Sequence, residues 1–315
     1  MRALGLLTVL LIAGCTATPQ TQPVETADPT PTATFEVAAA PQQVLDGDCD
    51  FLDGWTVIEG DERLSPINAL VQQYGGVRCS WQLDGRVILA VLVPESAVNV
   101  PADTACGGGG DAAAIGCGID AVVNGIRISG HALGDDLALA QADRDTIIAA
   151  FTATATDAAT VLEPQPDPDA WPAIPDCTSL AGSAALADAA ELDVELTGES
   201  LAFGLSSDVY VAPTERALQA EHGACSIYGI DGDEKFGIEM RVLGGGRWME
   251  TAVRAAKGAQ VVDVDGLELV VTVPSATYGE TVNVFDGVNW LQVQQRDDER
   301  LYPALAAIVA ELNTP

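Results

Sequence analysis

The chain repeats one short phrase. "CSWQLDG" runs from Cys79 to Gly85 and "CSIYGIDG" from Cys225 to Gly232, each just past a helical pattern closed by glycine. Before the first, "SPINALVQQYGG" offers Ser65 as N-cap and Pro66 in the first turn, with Ile67, Leu70, Val71 and Tyr74 on one face and Gly75 as the stop. Before the second, "PTERALQAEHG" ends in Gly223. After each Cys-Ser comes a hairpin signal, Asp84-Gly85 or Asp231-Gly232, because Asp-Gly supplies the positive φ angles of a tight turn.

The strands beyond are "RVILAVLV" and "KFGIEMRVL". A second hairpin follows in each half, around Asn124-Gly125 and around Asp286-Gly287, and the later half adds one around Asp265-Gly266. Each half closes with a helix, "DRDTIIAAFTA" and "DDERLYPALAAIVAEL". In the latter Leu305, Ile308, Val309 and Leu312 share a face, and Pro303 is tolerable only in the first turn. The order helix, cysteine, hairpins, helix therefore occurs twice. It predicts an α+β fold of two tandem related modules, each an antiparallel sheet packed with a few helices. The second copy has a longer interval between its cysteines, read as an alanine-rich helix and a strand in "TSLAGSAALADAAELDVELTG".

At the N-terminus Arg2 is followed by an apolar run, Leu4 to Ile12, then small residues to Cys15. The run is far shorter than the roughly 20 residues of a membrane-spanning helix, so it reads as a signal peptide. Its ending, Ile12-Ala13-Gly14-Cys15, resembles the bacterial lipobox, which implies a diacylglycerol on Cys15 and a tether to the outer face of a membrane. The stretch that follows is rich in Thr, Pro, Ala and Gln and cannot bury enough surface to offset its ordering entropy. The expected organisation is signal peptide 1–15, disordered stalk 16–43, first module 44–153, Pro-rich linker 154–175 and second module 176–315.

With 315 residues, 48% of them hydrophobic, two domains can each bury a core. The 46 acidic against 14 basic residues give a net charge of -32, which repels nucleic-acid phosphates and anionic headgroups. No nucleic-acid partner is expected, and membrane attachment rests on the lipid. Of seven cysteines, Cys15 belongs to the lipid and six are left for three bridges, with fifteen connectivities open. Pairing within modules leaves Cys177 with Cys225. In the first half, Cys49 with Cys79 matches that pair in position, and Cys106 with Cys117 closes a glycine loop. Zinc is the rival use, but no CxxC or nearby His supports it.

The lipobox, the Thr/Pro stalk, an early "DGDC" or "IPDC" and a later "CSW" or "CSIY" opening a strand resemble actinobacterial cell-envelope lipoproteins. Many of these carry a domain of unknown function with this Cys-to-Cys-Ser-Trp pattern. Trp81 matches the pattern; Ile227 and Tyr228 depart from it. The resemblance implies a secreted α+β fold with a disulfide near its start, and no chemistry.

A nucleophile needs a base, and the two histidines are poorly placed: His222 in the last turn of a helix, His131 at a strand end with no Gly-x-Ser-x-Gly elbow elsewhere. "DGDEKFGIE" puts Gly232 second, where a calcium loop needs glycine sixth, so it reads as a hairpin. "CGGGGDAAAIGC" lacks the Lys-Ser/Thr of a phosphate loop. "LGGGRWME" is the remaining candidate, read either as a mobile loop offering Arg247 and Trp248 to a partner or as a solvated loop with Trp248 folded onto its own core. The expectation is a non-enzymatic, lipid-anchored envelope protein that binds a protein, peptide or cell-wall component, with a groove between the domains, no cofactor and no metal. The alternatives are a wall-acting hydrolase using acidic residues and a solute-capture lipoprotein.

Overall fold

The computed structural model describes residues 39–58, 64–102, 104–108, 115–155, 169–171, 176–191, 196–200, 214, 217–218, 224–231, 234–275, 279–295 and 300–314. The signal peptide with Cys15, most of the stalk and linker, His222 and the Gly232 turn lie outside them.

The first half builds a sheet from β1 (Thr56–Val57), β2 (Val77–Leu83), β3 (Arg86–Pro94), β4 (Cys106–Gly108), β5 (Ile115–Val123) and β6 (Ile126–Gly134), in the order β1-β2-β3-β6-β5-β4. All its pairings are antiparallel. Asp84-Gly85 and Asn124-Gly125 make its hairpin turns with φ of 49° and 82° and of 50° and 74°, the paired positive values of the favoured two-residue loop. Helix α1 (Pro66–Gln73) starts at Ser65, whose Oγ accepts the Asn68 amide at 3.3 Å. Helix α2 (Leu137–Ala155) begins earlier than the apolar pattern of its second half suggests, because Asp136 caps it, accepting the amides of Ala138 and Leu139 at 2.8 and 3.0 Å.

The second half builds its sheet from β7 (Thr197–Ser200), β8 (Ala224–Asp231), β9 (Glu234–Leu243), β10 (Gln260–Val262), β11 (Leu269–Ser275), β12 (Gly279–Asp286) and β13 (Asn289–Gln295). The order is β10-β11-β12-β13-β9-β8-β7. Among the described residues its helices include α3 (Cys177–Ala181), α4 (Ala184–Ala190), α5 (Glu250–Arg254) and α6 (Leu301–Leu312). The alanine-rich stretch read as one helix is two, broken at Gly182 and Ser183, where the Gly182 amide closes α3 onto the Thr178 carbonyl. The last hairpin turns on Gly287 and Val288, one residue later than the sequence suggests, with Gly287 at φ 55° in the first loop position. Pro303 falls in the first turn of α6, as required.

The two sheets have one topology. Running from β1 and from β7, both go first, second, third, sixth, fifth, fourth, and the second sheet carries β10 in addition at the far edge. The register agrees as well. Cys79, Ala90, Gly130 and Ile119 form one cross-strand row, and Cys225, Met240, Val293 and Val282 form its counterpart. Gly130 is needed because a side chain there would run into the backbone of Leu89 and Ala90.

Each sheet buries one face in a core of its own. In the first module Trp81, Ile88, Leu92, Ile119 and Ile128 pack with Ile147 and Phe151 of α2. The Trp81 indole stands edge-on to Phe51 at 5.4 Å and donates to the Cys49 carbonyl at 2.8 Å, beside the disulfide. In the second, Ile227, Ile238, Met240, Val284 and Leu291 pack with Leu305, Ile308 and Val309 of α6. Trp171, from the segment read as linker, is part of that core. Asn289 holds it by accepting its amide at 2.7 Å, and Gly244 leaves room for its backbone.

A third cluster draws on both halves. Ala69, Leu70 and Val71 of α1 with Val91 and Val93 of β3 meet Leu243, Met249, Val253, Val271, Phe285 and Trp290. Gln73 donates to the Gly244 carbonyl at 2.8 Å, and Gln292 to the Leu64 carbonyl at 2.9 Å. Residues Val37–Pro315 accordingly form one compact unit. Where a groove between the modules is expected from the sequence, these residues form a packed apolar core.

Candidate functional site

The face of each sheet turned away from its own core carries first the shared cluster and then rows of polar side chains. Nearest α1 the first sheet places Val93, Arg127 and Val122, and the second Leu243, Trp290 and Phe285. The next row is Arg78, Val91, Ser129 and Asp120 in the first sheet and Ala224, Arg241, Gln292 and Asn283 in the second. Then come Ser80, Leu89, His131 and Gly118, matched by Ser226, Glu239, Gln294 and Thr281. The same scaffold thus presents two different sets of hydrogen-bonding groups at the margin of one core.

The first sheet carries a buried ion pair. Arg127 reaches Asp120 Oδ2 at 2.7 and 3.2 Å and the Val100 carbonyl at 2.9 Å, pinning the chain after β3 over the sheet. Ser129 is fully buried and its Oγ has no hydrogen-bond partner. His131, two residues along, is half-buried. A nucleophilic serine needs contact with substrate, and the Ser129 hydroxyl is sealed from it.

In the second sheet Asn283 organises a buried network. Its Oδ1 accepts from Trp290 Nε1 at 3.1 Å and Gln292 Nε2 at 3.0 Å, and its Nδ2 donates to the Val271 carbonyl at 3.2 Å. Beyond it the row opens toward water: Glu239 is exposed, Ser226, Arg241, Thr281 and Gln294 are half-buried, and Gln294 Oε1 is itself buried without a partner. Tyr228, on the same face of β8, donates to Glu199 at 2.8 Å, and that hydrogen bond raises its phenol above the ordinary value.

Arg247 and Trp248 lie in a fastened turn, not a mobile loop. Gly246–Met249 is a single 3-10 turn. Arg247 bonds Glu250 at 3.0 Å, Glu268 at 2.6 Å and the Gly287 carbonyl at 2.7 Å, so its guanidinium ties the turn to the last hairpin. Its charge is already matched by two carboxylates. Trp248 is half-buried against the shared core, with its Nε1 buried and unpartnered. A glycine run gives the turn its backbone freedom, but the three-way grip on Arg247 comes from residues that the sequence alone does not bring near.

On the core face, Arg86 spans Trp55 and Asp143, 5.3 Å from the ring centroid and 2.6 Å from the carboxylate. Burial pushes the Asp143 carboxyl up, and the nearby guanidinium only partly offsets it. Neither Arg86 nor Asp143 was singled out by sequence, since nothing short of the fold places β3 beside α2.

The cysteines pair as spacing suggests: Cys49 with Cys79, Cys106 with Cys117 and Cys177 with Cys225, with Cα atoms 5.7, 4.1 and 5.6 Å apart. Three disulfides mark an oxidising, extracytoplasmic environment. Among the described residues no group of three His, Cys, Asp or Glu is arranged to hold a metal ion, and no helix is long and apolar enough to cross a membrane. No family model, curated protein or solved structure matches the chain.

Proposed function

We propose that the protein is an extracytoplasmic binding or interaction protein of the bacterial cell envelope, tethered by lipid on Cys15. In this reading it recognises a protein, peptide or cell-wall component through the polar rows beside the shared core. The observation that carries it is the doubled face: one strand order and one register, with Arg78 and His131 in one copy replaced by Ala224 and Gln294 in the other, and serine kept at Ser80 and Ser226. A scaffold kept constant while its outward polar groups change suits recognition. The core faces are kept apolar in both copies. The partner meets hydrogen-bond donors and acceptors on an acidic molecule, so a polyanion is disfavoured.

The tether and stalk support the location. Two acyl chains on one residue suffice for stable anchoring, at about 0.8 kcal/mol per buried methylene. The test compares wild type with Cys15→Ala for incorporation of labelled palmitate and for membrane fractionation, and follows purified protein with cell-wall fragments. Label and membrane retention in wild type alone, with fragments bound but not cut, support the reading. Unlabelled wild type, or turnover of a wall fragment, contradicts it.

A further inference from the structure

We infer that the Cys106–Cys117 disulfide is a reducible switch that releases the β4 edge of the first sheet while the rest of the fold stays intact. Cys106 and Cys117 face each other across the β4–β5 ladder, and Cys106 is half-buried. Arg144 of α2, with a side chain 24% exposed, donates from Nη1 to Cys106 Sγ at 3.4 Å while its Nε and Nη2 hold the exposed Asp145 carboxylate at 3.0 and 2.9 Å. A guanidinium beside a sulfur favours its thiolate, and so stabilises the reduced pair relative to the bridge.

The bridge is also the one the fold can best spare. It closes 11 residues, against 30 for Cys49–Cys79 and 48 for Cys177–Cys225. A crosslink over a short loop restricts the unfolded chain least, so its loss costs least stability. Cys177–Cys225 lies wholly in its core, at 5% and 0% exposed, whereas Cys49–Cys79 and Cys106–Cys117 each join one half-buried cysteine to a buried one, so the short loop and Arg144 set Cys106–Cys117 apart. β4 itself is only Cys106–Gly108, and outside the ladder Gly118 donates to the Ala105 carbonyl at 2.8 Å.

The reaction needs an extracytoplasmic dithiol. Its thiolate attacks Cys106 Sγ, the Cys106–Cys117 bond breaks, and the electron pair goes to Cys117 Sγ, which takes up a proton. The second thiol of the reductant, having given up its proton, attacks the reductant sulfur of the mixed disulfide. Cys106 then leaves as a thiolate beside Arg144. Two electrons have passed to the protein and the dithiol ends as a disulfide. A low-pKa leaving thiol speeds that second step.

The mature chain is treated with graded dithiothreitol, free thiols are blocked with one alkylating agent, and the remainder are labelled with a second after full reduction, for peptide mass spectrometry. Cys106 and Cys117 should be blocked first, at about one tenth of the dithiothreitol that opens the other bridges, and Arg144→Gln should remove about tenfold of that preference. At that first stage circular dichroism stays native and the Gly116 and Gly118 amides, which face β4, exchange faster. Simultaneous opening of all bridges, earlier opening of either other bridge, an unchanged preference in Arg144→Gln, or loss of the fold at the first stage would overturn the inference.

Discussion

Cys79 and Cys225 hold the same position in two sheets: Cys79 pairs across the ladder with Ala90 and Cys225 with Met240, and each is bonded to a cysteine about one helix or loop upstream. The motif that repeats in the sequence is thus the point at which each module is stapled. In the first, Trp81 reinforces the staple through the Cys49 carbonyl; in the second, Ile227 fills the corresponding place in the core.

Removing the second staple should be costly. Replacing Cys177 and Cys225 together by alanine is expected to lower unfolding stability by about 2–5 kcal/mol. Urea denaturation followed by tryptophan fluorescence reads this directly, and an unchanged midpoint would show that the bridge restrains little.

The buried amide network gives a second expectation. Asn283 is 1% exposed, and Asn283→Ala leaves the Trp290 indole N–H without an acceptor and removes one of two acceptors from Gln292. A loss of about 1–3 kcal/mol is expected for each buried group left unpaired. Asn283→Asp, which keeps an acceptor but buries a charge, should be no more stable than the alanine variant at neutral pH. Thermal denaturation of both variants checks the order.

The shared core predicts coupling between modules. Leu70 is 4% exposed on α1 of the first module, and Leu70→Ala should cost about 2–5 kcal/mol. The loss should appear as faster hydrogen exchange in β13 of the second module as well as in β3. Protection lost in β3 alone would mean that the modules are energetically independent.

Asp143 carries a pH signature. Its pKa is raised from 3.8 mainly by burial, with Arg86 opposing. A carboxyl with a raised folded-state value favours the fold when protonated. The stability of wild type relative to Asp143→Asn is therefore greatest below pH 3.8 and declines as pH rises through the folded-state value, then levels. Denaturation of the two proteins side by side across that range measures the difference; a gap that widens with rising pH would reverse the sign.

Hairpins and helix caps were the legible part of the fold, because Asp84-Gly85, Asn124-Gly125 and Ser65-Pro66 act through neighbours in the chain. The split between α3 and α4 was hidden, since alanine favours a helix on either side of Gly182-Ser183. The shared core left one trace: "RVILAVLV" is apolar on both faces, which means a strand covered on both sides. What covers the second face comes from far away, as the bond from Gln73 to Gly244, 171 residues on, illustrates. The polar rows were unreadable for the same reason. Arg127 and Asp120, or Asn283 and Gln292, become neighbours only through register, and the grip on Arg247 is hidden in the sequence because Glu268 and Gly287 join it from another part of the sheet.

The recognition role of the polar rows is tested most directly by placing a photo-reactive amino acid at Gln294 in cells, with Leu139, 48% exposed on α2, as the control position. Discrete adducts of defined mass from Gln294 and none from Leu139 are predicted. Equal labelling from both positions, or no adduct from Gln294 while the protein remains folded and at the cell surface, would contradict it.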